Sequence, residues 1–461
     1  MNLWLKSGFY LIFLLAFFPL KAQIYQQKPP SQTRILFLLD GSGSMLAPWG
    51  PTNRINAAKK FLKDFVDSLK VNQDLELALR VYGHQYHRRF QRCDDSRLEV
   101  SFGRNNHQTI IQKLNQIDPK GTTPIAYSLA QAANDFPSDQ DVRNIIIIIT
   151  DGIESCEGDP CAVSLELQRR GIFLKPFIIG MGMEKNAIDE FGCMGQYYDA
   201  TNIREFRSAL QSAITQTLDK TTVSIELLDQ YNQPTISNIN VTFINDFTNR
   251  PMYEFIHYRD VSGRPDSVEI DAVLSYDIRV NTVPPVLHQN PVIQPGQHNV
   301  IQIQCPQGSL QILQKNHSEY THDVKVLIYE KNTKIIIHTL DIAEKQKYLA
   351  GSYDLEITTL PKMEYSGIRI KPDQLVKIEL PPPGLLNITR NFNGHGSLYV
   401  MLPEGNENWI YDIPEDELIT SIAIQPGEYK IVFRINHALG SKFTKVETFK
   451  ILSGKTVNLQ L

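Results

Sequence analysis

The sequence predicts an α/β domain with a doubly wound, mostly parallel sheet, followed by three tandem all-β modules of sandwich type. Two observations predict the first part. Residues 35–39 and the isoleucines of 144–149 form uninterrupted, apolar or β-branched runs, as expected of strands buried on both faces of a parallel sheet. Segments with helical spacing alternate with runs of this kind as far as about residue 219. The third observation concerns the remainder. From Thr221 onward helical periodicity gives way to short alternating runs, and a tyrosine in similar context recurs at Tyr276, Tyr353 and Tyr429, at intervals of 77 and 76 residues.

The chain opens with Lys6, an apolar stretch over 9–20, then Lys21-Ala22. This reads as a secretory signal peptide over 1–22, cleaved after Ala22. The stretch is short for a membrane span of about 20 residues, and no second one follows. The α/β domain is expected over 31–219. After its first strand, residues 54–69 place Ile55, Ala58, Phe61, Leu62, Phe65, Val66 and Leu69 on one helical face. Residues 75–82 alternate as a strand. Helices are predicted over 109–117, ending before Asp118-Pro119, and over 125–136, with Pro124 at the first turn. The central strand 144–149 comes next. A helix at 163–170, strands at 173–179 and 197–198, and a closing helix at 203–218 complete the domain. The β modules are placed at 221–305, 306–383 and 384–461, with Pro381-Pro382-Pro383-Gly384 as a stiff boundary.

Residues able to hold an ion collect in three loops. Asp40-Gly41-Ser42-Gly43-Ser44 leaves the first strand, Gly121-Thr122-Thr123-Pro124 precedes a helix, and Thr150-Asp151-Gly152 leaves the central strand. An open parallel sheet presents its ligands at the carboxyl ends of its strands. These loops supply hard oxygen donors and neither imidazole nor thiolate, which points to Mg²⁺, with Mn²⁺ or Ca²⁺ as alternatives, rather than zinc.

The three segments, in this order, resemble the metal-ion-dependent adhesion site of the von Willebrand factor A superfamily. Tyr82-Gly83-His84 and Asp151-Gly152-Ile153-Glu154-Ser155-Cys156 make the chain similar to the exported bacterial type. The resemblance covers about residues 31–219. It implies that Asp40, Ser42, Ser44, Thr123 and Asp151 hold the ion, Thr122 being an adjacent alternative to Thr123. It also implies a partner protein that offers a carboxylate to an open position on the metal.

Other residues admit plainer readings. His84 is read as structural, and Trp49 either lines the binding rim or packs on the first helix. The segment from His84 to Arg92, with Arg88, Arg89 and Arg92, is read as a solvated loop. Five cysteines suit two disulfides and one free thiol. Cys156–Cys161 and Cys93–Cys193 are candidate pairs, leaving Cys305. Net charge is −4, and −6 once Lys6 and Lys21 are removed with the leader; without a dense basic tract, nucleic acid is not an expected partner. An enzyme would need a base or nucleophile beside the ion, and His84, Glu154 and Asp159 lack the motif context for it. The expected function is therefore non-enzymatic, exported protein binding in adhesion or envelope assembly, with the β modules as a stalk. The alternatives are a fold-stabilising metal in a structural protein, and a metal-dependent hydrolase.

Overall fold

The computed structural model describes residues 32–72, 74–138, 142–169, 177–180, 194, 197–200, 202–272, 274–314 and 324–461. The expected signal peptide, Cys193 and residues 173–176 of an expected strand lie outside them. The α/β domain holds one sheet of β1 (Gln32–Asp40), β2 (Leu75–Tyr82), β3 (Ser96–Gly103), β4 (Val142–Thr150), β5 (Phe177–Gly180) and β6 (Tyr197–Asp199). Their order is β3-β2-β1-β4-β5-β6. Neighbours run parallel except β2 and β3. The pattern reading does not include β3. Leu98, Val100 and Phe102 alternate there, but the strand is a sheet edge whose intervening Arg97, Glu99 and Ser101 keep its apolar signal weak.

Helices α1 (Arg54–Ser68), α2 (His107–Gln116) and α5 (Ile203–Leu218) cover one face of the sheet; α3 (Ile125–Asp135) and α4 (Pro160–Arg169) cover the other. Strand geometry divides the side chains between them. Ile35, Phe37 and Leu39 meet α1, α2 and α5, whereas Leu36 and Leu38 meet α3 and α4. Ile145 to Ile149 are wholly inaccessible, and each contributes roughly 1.5–3 kcal/mol relative to an exposed side chain. Asn53 caps α1 by accepting the Asn56 N–H at 2.9 Å. Trp49 belongs to this core, edge-on to Phe206 of α5 at 6.2 Å, and is not a rim residue.

Beyond α5, three units repeat one topology. In each, the first strand is central in a three-stranded sheet, antiparallel to one neighbour and parallel to the last strand of the unit. These first strands are Thr221–Leu228, Gln307–Gln314 and Gly384–Thr389. A four-stranded antiparallel sheet faces each of them across an apolar core.

The recurring tyrosines close these cores. The hydroxyl of Tyr276 donates to the Asp271 carbonyl at 2.7 Å, Tyr353 to Leu349 at 2.7 Å, and Tyr429 to Gln425 at 2.6 Å. This is a tyrosine corner, repeated three times. Each accepting residue also ties its unit to the one before. The Leu349 N–H donates to Val283 O at 2.8 Å and the Gln425 N–H to Leu360 O at 2.7 Å. Asp271 instead uses its side chain, in a 2.6 Å ion pair with Arg143 near the start of β4. The corner thus shapes the unit and fixes its joint.

Tyr353→Phe removes one hydroxyl bond at such a joint and leaves the ring in place. It is expected to lower stability by about 1 kcal/mol, whereas Tyr353→Ala, which empties core volume, costs about 3–5 kcal/mol. Equilibrium denaturation of the two variants against the parent checks the ranking.

Candidate metal centre

The order of the sheet reverses between β1 and β4, so a crevice opens where their carboxyl ends diverge. Asp40 ends β1 and Asp151 follows β4 directly. Two neighbouring loops are drawn against the crevice by backbone bonds. Gly41 N–H donates to Tyr82 O at 2.7 Å, Gly121 N–H to Gly83 O at 2.7 Å, and Gly43 N–H to Gly121 O at 3.0 Å. Glycine is required at two of these contacts. Gly83 has φ +68° and a Cβ there would lie 2.3 Å from Thr122 O, while a Cβ on Gly121 would meet Gly83 O and Tyr86 O at 2.8 Å.

Asp40 is fully buried. One carboxylate oxygen accepts the Ser42 N–H at 2.7 Å and the other accepts the Thr150 hydroxyl at 2.8 Å. Burial, then the charge of Asp151, raise its pKa to about 6. Tyr82 pairs with Asp40 across β1 and β2; burial and that carboxylate hold its phenol well above the usual range.

A short chain of oxygens runs outward from this buried pair. Ser42 Oγ lies 2.8 Å from Ser44 Oγ, and Ser44 Oγ donates to Asp151 Oδ1 at 2.8 Å. The second oxygen of Asp151 accepts from Arg54 Nη1 at 2.7 Å. Thr123 is buried and linked to the loop after β4: its N–H donates to Ser155 Oγ at 2.8 Å, and the Ser155 N–H returns a bond to Thr123 O at 3.1 Å. Thr122 turns its hydroxyl to Arg92 O at 2.7 Å instead. All five predicted residues therefore come to the same end of the sheet. The donor set fits a hard cation. Asp40, Ser42, Ser44, Thr123 and Asp151 offer only carboxylate and hydroxyl oxygens, the donors such ions prefer.

Arg54 and Thr150 are the functional neighbours that sequence reasoning missed. Thr150 was legible as the hydroxyl residue beside Asp151; Arg54 had no signal, since its partner lies 97 residues away. His84 pairs with Glu99 at 3.0 Å, as a structural histidine does. Glu154 accepts the Ala126 and Cys156 N–H groups, and Asp159 accepts the Cys161 and Ala162 N–H groups at the start of α4.

The cysteine pairing differs from expectation. Cys93 bonds Cys156, which excludes both candidate pairs. The loop after β2 crosses the top of the sheet and meets the loop after β4, whereas Cys161 sits in the first turn of α4 and packs into the core beneath. Cys161 is also disulfide-bonded. Cys305 is the free, buried thiol, raised to about 12 by that burial.

The family model described as the von Willebrand factor type A domain matches residues 35–216. The chain is 32% identical over 189 residues to the uncharacterized protein YwmD of Bacillus subtilis strain 168, covering 39% of this chain and 84% of that protein. It is 31% identical over 186 residues to YwmC, likewise uncharacterized and from the same strain, covering 38% and 79%. Among solved structures, the conserved hypothetical protein BatB from Bacteroides thetaiotaomicron is similar at 20% identity and TM-score 0.31, over 39% of this chain and 100% of that one. The pilus adhesin SpaC from Lactobacillus rhamnosus GG is similar at 11% identity and TM-score 0.36, over 94% and 87%.

Asp40→Asn tests the electrostatics of the pocket. The Thr150 hydroxyl can turn to Gly152 O, 3.0 Å away, and accept from the new amide. Because the folded pKa of Asp40 lies above its ordinary 3.8, the folded state alone holds the proton between that value and about 6. The unfavourable buried charge is complete above this window and relieved below it. In EDTA at neutral pH the variant should be more stable than the parent, with the margin shrinking as the pH falls from about 6 towards 4. Denaturation curves across that range check the sign.

Proposed function

The chain belongs to the von Willebrand factor type A family, and on that premise we propose that it is an exported protein that captures a protein partner through a divalent cation at the end of its sheet. The observation that carries this reading is the convergence of the Ser42, Ser44 and Asp151 oxygens, from two loops, in one hydrogen-bonded chain at the end of the sheet. Ser42, Ser44 and Thr123 would hold Mg²⁺ through neutral hydroxyls, and Asp151 through the oxygen that Arg54 leaves free. Asp40, its oxygens taken by Ser42 and Thr150, adds charge from behind. The hydroxyl and carboxylate donors suit Mg²⁺, and Mn²⁺ or Ca²⁺ share the preference for oxygen.

When bound, the cation supplies a Lewis-acid position that takes a carboxylate oxygen from the partner. The chain's own residues set how strongly it does so. Two carboxylates, one already paired with Arg54, leave the cation under-neutralised, which favours an anionic ligand at an open position. The candidate bases His84, Glu154 and Asp159 are engaged in structural bonds, which supports binding over hydrolysis. Among the described residues no helix is long and apolar enough to cross a membrane. The export signal read at 1–22 and the three β units together suit a domain held out from a surface on a stalk.

Ser44→Ala removes an exposed hydroxyl and little packing. Calorimetric titration should show Mg²⁺ binding to the parent and a loss of at least about tenfold in the variant, an effect of the size expected for one lost polar contact to a charge. Affinity capture from the source cell's envelope should retain a partner with Mg²⁺ and lose it with EDTA and in the variant. A partner retained under all three conditions would move the interaction away from the cation and leave the ion a structural part.

A further inference from the structure

The segment from His84 to Arg92, read as a solvated loop, is exposed over residues 86–92, and the chain around it is tied down beside the proposed cation site at three points. Cys93 is bonded to Cys156 in the loop after β4. Arg92 O accepts the Thr122 hydroxyl. Arg88 N–H donates to Lys120 O at 2.7 Å, and Lys120 N–H in turn to Gly41 O at 3.1 Å. The side chain of Arg88 consequently lies over the loop after β1, its Cδ 3.8 Å from where a Cβ on Gly43 would stand.

The charges around it are unevenly spent. Arg92 is paired with Asp94 at 2.6 Å. Asp95 is buried and accepts N–H groups from Gln85 and Tyr86. Arg54 is paired with Asp151. Arg88 and Arg89 have no carboxylate within ion-pair reach among the described residues, and both are exposed. Exposed Phe90 and Tyr86 lie under the guanidinium groups of Arg89 and Arg92, at 4.7 and 4.8 Å, which stiffens the loop.

We propose that Arg88, supported by Arg89, is a specificity residue that binds a second carboxylate of the partner, next to the one taken by the cation. The ligand class is then an acidic peptide segment carrying two closely spaced Asp or Glu side chains. This inference rests on the cation-binding reading above. A planar guanidinium matches a carboxylate in a two-point contact that a solvated loop would not offer. The chain as a whole is acidic, at −4, so a long polyanion would be repelled beyond this patch, whereas a short acidic segment would not.

The test uses the full chain and two fluorescent peptide amides in a glycine-serine background, one with a single aspartate and one with two aspartates two positions apart. In Mg²⁺ the second aspartate should tighten binding roughly tenfold, the effect of one charge-assisted contact. Arg88→Gln should abolish that gain while leaving single-aspartate binding and calorimetric Mg²⁺ uptake unchanged. A gain that persists in the Arg88→Gln, Arg89→Gln double variant, or no gain in the parent, overturns the proposal and leaves the cation reading intact. Binding of the two-aspartate peptide in EDTA, lost in Arg88→Gln, with no Mg²⁺ effect on either peptide, upholds Arg88 and overturns the cation reading. Failure of both peptides under every condition overturns both.

Discussion

A carboxylate with no exposed surface sits where the strand order of the sheet reverses, and much of the domain is arranged around its charge. Asp40 is held by one backbone N–H and one hydroxyl. These bonds favour its ionised form, but burial and the charge of Asp151 outweigh them and leave its pKa raised. An uncompensated buried carboxylate is costly, so this position is stable only where a proton, a hydrogen-bonding network or a cation meets it. Asp151 is relieved differently, by Arg54 from the first turn of α1. Two acids with unequal compensation leave a local deficit of positive charge.

The backbone makes the deficit permanent. Gly83 and Gly121 let three loops approach more closely than any side chain would allow, and their hydrogen bonds fix the loop after β1, the segment before α3 and the loop after β2 as one surface. The Cys93–Cys156 bridge adds a covalent tie from that surface to the loop bearing Asp151. Ser44 in the loop after β1 and Asp151 in the loop after β4 are then held with their oxygens 2.8 Å apart, and groups held in place in this way lower the ordering cost of binding.

At the other end of the sheet, Arg143 passes the position of the α/β domain to the first β unit through a poorly exposed ion pair with Asp271. The same corner residue recurs in each later unit, taking the tyrosine hydroxyl on its carbonyl and, in the second and third units, giving its N–H to the unit before. A buried hydrogen bond missing from such a joint leaves an unsatisfied polar group, so the units favour one arrangement over free rotation. The proposed stalk is thus built from one contact used repeatedly.

The sequence by itself determined the two-part architecture, because runs such as 144–149 and the recurrence of Tyr276, Tyr353 and Tyr429 are local patterns that report burial directly. It also singled out the donors of the proposed site, since Asp40, Ser42 and Ser44 alternate on one loop. The edge strand β3 was not picked out, because only one of its faces is apolar. The tertiary structure alone decided which distant groups meet. Arg54 finds Asp151, Cys93 finds Cys156 rather than Cys193, Trp49 turns inward to Phe206, and Arg88 comes to lie over Gly43. These pairings depend on strand order and on the paths of loops across the sheet, and residues far apart in the chain carry no local signal of either.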